Sequence, residues 1–183
     1  SQSSDNVVRG DTLHLNDVEV FPASLEPGVF EAGDIMLSLR NISTVLVVDG
    51  EDLSVKYRSM GELIRQHDPD FIDGNTLSIF NNNNYQRRNA PAQILIKSVR
   101  AGGPRVHYTG TESERFSTHL MGKHQWLPNG NLLISEPMHG RGFEIDPGGK
   151  IVWEYINLID EGRVGILEEL KRLPRLCASP DRA

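Results

Sequence analysis

Residues 122–136 read GKHQWLPNGNLLISE, a histidine followed by a Pro-Asn-Gly-Asn turn and an apolar run of strand length. The same order recurs twice upstream. From His67 the chain runs HDPDFIDGN, TLSIF, NNNNYQRRN, APAQILIKS, RAGGP and RVHYTG. From His14 it runs through a longer loop to IMLSLR, NIS, TVLVVD, GEDL and SVKYRS. After His124 come LLISE, PMHGR, GFEID, PGG and KIVWEY. The three histidines are 53 and 57 residues apart. Each unit holds three or more short β-rich segments bounded by Gly, Asn, Asp and Pro, the residues that supply tight turns. A repeat of roughly 40–50 residues built of several antiparallel strands is the sequence mark of a propeller blade.

The fold expected is all-β, a partial β-propeller of about three blades. The blades span residues 1–157, and a short helix and tail occupy residues 158–183. Residues entering the innermost strand of successive blades at one phase face one axial space, so His14, His67 and His124 are expected to line a common pocket. Three blades do not close a ring, because propellers use four to eight. Missing upstream blades or a second copy would complete it, and a chain that starts at Ser1 without methionine favours the first.

Composition narrows the function. The net charge is −6 with basic residues scattered, which excludes the clustered basic face of a nucleic-acid binder. No apolar run approaches the roughly 18 residues of a membrane span. The single cysteine, Cys177, cannot form an internal disulfide. No Cys/His spacing suits zinc, so neither metal nor cofactor is expected.

Three stretches, LHLNDVEV with GDIMLSLRNISTVLVVD, then QHDPDFIDGNTLSIFNNN, then GKHQWLPNGNLLISEPMHGRGFEIDPGGKIVWEYIN, together resemble the arylsulfotransferase family. The resemblance covers about His14 to Asn157 and corresponds to the C-terminal half of such a protein. It implies a six-bladed propeller, periplasmic or otherwise extracytoplasmic. It also implies transfer of a sulfuryl group from an aryl sulfate to a phenol without a nucleotide donor. A channel histidine is then transiently sulfated, with other histidines and an arginine in support. The chemistry suits imidazole: its pKa near 6.5 leaves it largely neutral and nucleophilic at pH 7. Sulfuryl oxygens need fixed donors, and a second imidazole can take the acceptor's proton.

On this reading His14, His67 and His124 are the catalytic candidates. Asp68 is expected to orient His67; the ordinary alternative for His14 is a strand-edge histidine held by Asn16 or Asp17. Asn16, Arg40, Arg88, Gln93 and Trp126 are the substrate-binding candidates. Arg40 follows an inner strand, and Arg141 has similar standing. The family's Ser-Arg pair is sought after the Asn-rich turn, where Ala92 and Gln93 stand instead. His107 reads as structural and His139 as an exposed turn residue. Asn81 to Tyr85 reads as a polar loop. Trp153 is expected to pack between blades. Leu167, Leu170 and Leu173 share a helical face that Pro174 would end. A propeller that only binds an anionic or aromatic ligand, or only holds partners, is the alternative.

Overall fold

A computed structural model describes residues 10–84 and 90–173. The chain divides into two compact units, residues 1–122 and 123–183.

The first unit holds two four-stranded antiparallel meanders. One comprises β1 (Leu15–Val20), β2 (Ile35–Leu39), β3 (Thr44–Val48) and β4 (Val55–Met60). The other comprises β5 (His67–Asp73), β6 (Thr76–Asn81), β7 (Gln93–Ser98) and β8 (Arg105–Thr109). β-Branched and aliphatic runs such as TVLVV and QILIKS fit a pleated surface buried on at least one face. Facing residues of the two sheets make the core: Met36, Val45 and Val47 on one side, Phe71, Leu77, Ile79 and Leu95 on the other. Phe21 and Phe30 close it, each edge-on to Phe71 with ring centroids 5.0 and 5.3 Å away. Each such fully buried side chain contributes about 1.5–3 kcal/mol of transfer free energy.

The second unit carries a third meander: β9 (Lys123–Trp126), β10 (Leu132–Glu136), β11 (Arg141–Ile145) and β12 (Ile151–Ile156). A small hairpin follows, β13 (Leu158–Asp160) with β14 (Arg163–Val164). The first and third sheets share a device. β2 and β10 each run into a one-turn 3-10 helix, Arg40–Ile42 and Pro137–His139, closed by a left-handed residue, Ser43 at φ 49° and Gly140 at φ 58°. Among the described residues, the shared turn is confined to these two sheets.

Two expectations are corrected. Residues 165–173 form no helix. The backbone N–H groups of Gly165, Leu167, Leu170 and Arg172 bond to Asn157 O, Pro137 O, Ser135 Oγ and Gln125 Oε1 at 2.8, 3.2, 2.8 and 2.8 Å. With donors committed to the sheet, the segment lies extended as a strap. Leu167 and Leu170 are half-buried and Leu173 is 76% exposed, so the three leucines do not form one buried face. The expected tail beyond it, with Cys177, lies outside the described residues. Trp153 is not core either. It stands 42% exposed on the outermost strand, stacked on Tyr155 at 6.4 Å. No described helix is long and apolar enough to cross a membrane.

Candidate functional site

The site in the first unit forms where two loops meet the end of β2. His14 precedes β1 with φ 52°, and its carbonyl accepts the Arg40 N–H at 3.0 Å. Asp11 grips His14 twice, accepting the backbone N–H at 2.7 Å and binding ring Nδ1. That contact to His14 holds the Asp11 carboxyl below the usual range. Asn41 ties the loop down, its Nδ2 donating to Asp11 O at 2.7 Å. Asp11 is thus a partner of His14 at both its backbone and its ring.

Arg40 is driven inward because it opens the 3-10 turn. It is only 7% exposed. Its Nη1 donates to Asn41 Oδ1 at 3.0 Å, while Nε is buried with no partner. Burial first, and Arg65 second, lower its pKa. A buried guanidinium normally lies against a carboxylate. No described ion pair of Arg40 exists, so the group stands as a desolvated cation with donor capacity to spare.

The second loop brings His67. The wholly buried Gln66 anchors it, its Nε2 donating to Ser38 Oγ at 3.1 Å and to Thr44 O at 2.9 Å. Arg65, at φ 52°, donates its N–H to Ser43 Oγ at 3.2 Å. Asn16 adds a bond from Nδ2 to Gln66 O at 2.9 Å, leaving a buried Oδ1 unpartnered. His67 then opens β5 opposite Phe80. Its Nδ1 faces Asn82 Oδ1 at 2.7 Å and Arg65 O at 3.2 Å. Asn82 is therefore the side chain that orients it from Nδ1. Burial pushes the His67 pKa down to about 4, opposed by the Asn82 bond and assisted by the charges of Arg40 and His14. His67 is a neutral imidazole at pH 7.

Gln93, the first residue of β7, accepts from Asn81 Nδ2 at 3.0 Å, while Asn81 Oδ1 takes the Ile64 N–H at 2.7 Å. It braces the asparagine run rather than offering a free amide oxygen. Arg88 lies outside the described residues. His124 is buried on β9 of the second unit, opposite Ile134, and Trp126 is half-buried opposite Leu132. The rungs differ: His14 sits one residue outside the Leu15–Leu39 pair, beside the 3-10 turn, whereas His124 pairs two rungs inside the matching residue Glu136. Arg141 differs from Arg40 in kind, since Glu136 and Glu154 pair with it at 3.2 and 2.6 Å. His139 is exposed and bonded to Glu136, as expected of a turn residue.

Asp11, Arg65 and Asn82 escaped the sequence reading. A run of four asparagines reads as loop, yet Asn81 and Asn82 are buried and fully bonded. The buried arginine is the candidate Arg40, at the end of SLR after β2, and not one beside the Asn-rich turn.

One neutral, half-buried imidazole, a second imidazole on a carboxylate, and a guanidinium with no ion pair among the described residues make an arrangement suited to anionic, electrophilic groups. No curated protein matches the chain. The sequence profile described as arylsulfotransferase (ASST) matches residues 2–158. With most of its length matched, the chain belongs to the arylsulfotransferase family.

Proposed function

We propose that this chain transfers a sulfuryl group from an aryl sulfate to a phenolic acceptor through a sulfo-histidine on His67. The observation that carries the reading is a half-buried neutral imidazole under the field of a buried guanidinium that has no ion pair among the described residues. A nitrogen lone pair of His67 attacks sulfur, the S–O bond to the aryl group breaks, and phenolate leaves. Its conjugate acid has a pKa near 10, so departure needs little acid assistance. Arg40 donates to the sulfuryl oxygens, a geometry in which a planar fork outperforms an ammonium. In the second half-reaction the acceptor oxygen attacks the same sulfur, the N–S bond breaks, and the acceptor's proton passes to His14. Asp11 on Nδ1 orients His14 for that role and supports the imidazolium formed. Two half-reactions through a covalent intermediate give ping-pong kinetics.

We further read the three meanders as blades of a six-bladed propeller, and the protein as extracytoplasmic. The first reading is supported by the histidine-led repeat, the second by the family resemblance. Incubation with 4-nitrophenyl sulfate and phenol tests the reaction. Nitrophenolate release that requires phenol and is lost in His67→Ala supports the proposal. Release unaffected by that substitution, or none with any phenol, overturns it.

A further inference from the structure

We propose that Asn82 is a positioning residue that fixes His67 as its Nδ1–H tautomer, so that Nε2 is the nitrogen that meets sulfur. The inference rests on His67 being the sulfuryl acceptor, and names the nitrogen and the residue that selects it. A neutral imidazole has one donor and one acceptor nitrogen, and the partner of one determines the state of the other. Both neighbours of Nδ1 are oxygens, Asn82 Oδ1 at 2.7 Å and the Arg65 carbonyl at 3.2 Å. A carbonyl cannot donate. The Nε2–H tautomer would set a lone pair against both oxygens at a half-buried ring.

Rotation of the Asn82 amide would relieve that clash, but its other end is locked. Nδ2 donates to Thr118 O at 3.1 Å and to Met121 O at 2.7 Å. A flipped amide would point oxygen at both carbonyls and lose both bonds, and Asn82 is wholly buried, so no solvent replaces them. The turn that supplies those carbonyls is itself constrained. Thr118 Oγ1 donates to Leu120 O at 2.6 Å, and Met121 holds φ 60°. The order of control runs from the 118–121 turn to the Asn82 amide, and from the amide to the proton on His67. An aspartate at position 82 would still accept from Nδ1–H but has no N–H for the turn. An alanine keeps neither bond, and leaves only the longer contact to Arg65.

Multiple-bond proton–nitrogen correlation spectra of the 183-residue chain at neutral pH read the tautomer directly. The expected wild-type pattern is a pyrrole-type Nδ1 and a pyridine-type Nε2 for His67. Asn82→Ala should mix the two patterns and lower kcat for 4-nitrophenyl sulfate about 10–100-fold, the range typical of lost orienting partners. Asn82→Asp should keep the Nδ1–H pattern, recover part of that rate, and move the acid limb of the pH profile upward because a negative charge favours imidazolium. A wild-type spectrum with protonated Nε2 overturns the inference. So does Asn82→Ala with an unchanged spectrum and pH profile. The spectra require no turnover, so absent sulfuryl transfer counts against His67 as acceptor, whereas an Nε2–H spectrum counts against Asn82.

Discussion

Arg40 and His67 illustrate how burial tunes single residues. Removing solvent disfavours charge on both, yet their responses differ: imidazole sheds its proton, while a guanidinium keeps its own. The consequence is a nucleophile that remains neutral well into acid. Below pH about 4 His67 gains a proton and its lone pair is lost. The acid limb of kcat/KM for 4-nitrophenyl sulfate is therefore expected near pH 4, falling tenfold per unit below it, rather than near the 6.5 of a free imidazole. A pH–rate profile checks this. Arg40→Ala should lower kcat/KM on the order of 10²–10³-fold, the usual cost of removing a preorganised donor to developing charge. Arg40→Lys should restore only part of it, since the ammonium lacks the fork. His67 was legible from its Gln-His-Asp-Pro setting and from the repeat. Asp11 and Asn82 were not, because each acts through a loop closure that no local pattern encodes.

At the scale of elements, two sites test how the sheets are held. Gly122 leads into β9 at φ +124°, and a Cβ there would lie 2.4 Å from a ring carbon of Phe80. Phe80 is wholly buried and edge-on to Phe116 at 5.4 Å, so it has little room to yield. Gly122→Ala should cost about 1–3 kcal/mol by chemical denaturation, the cost of overpacking, with added strain from the backbone angle. It should also perturb His67, which pairs with Phe80 across β5 and β6. On β1, burial beside Asp70, Asp17 and Asp68 raises Glu19 to about 8, although its Oε2 accepts the Phe71 N–H at 3.1 Å. The sign follows from linkage. Between the unfolded value near 4.5 and the folded value near 8, the native state binds more protons, so stability falls as pH rises. Glu19→Gln should flatten that decline and leave the chain more stable at pH 8 than wild type, as thermal melts across pH would reveal. His67 contributes the opposite slope, with stability falling as pH drops from 6.5 toward 4. The strap at residues 165–173 shows the reach of sequence periodicity. Its leucine spacing is helical, but partners on the third sheet claim its N–H groups first.

At the scale of the whole molecule, the first sheet presents an aliphatic face that the described residues of its own unit leave partly exposed. Cross-strand rungs Val20–Ile35–Val48–Val55 and Val18–Leu37–Leu46–Arg58 present mostly aliphatic side chains there. Leu15, Val18, Val20, Val55 and Met60 are each more than half exposed. A contiguous apolar sheet face of this kind favours association. The 20.4 kDa chain should elute as a dimer or larger species in size-exclusion chromatography with light scattering. Leu37→Lys should shift it toward monomer, and a clean monomer in the wild type would refute the expectation. The sequence alone determined the strands, their turns and the all-β class, because alternation and Gly/Asn/Pro punctuation act over a few residues. It also carried the family, and with it His14, Arg40 and His67 as candidates. Tertiary structure alone decided which arginine is buried without a carboxylate, which asparagine meets an imidazole, and whether the terminal leucines coil or stretch. Those outcomes depend on burial and on partners far apart along the chain, and the competition for hydrogen bonds is settled only after the sheets have packed.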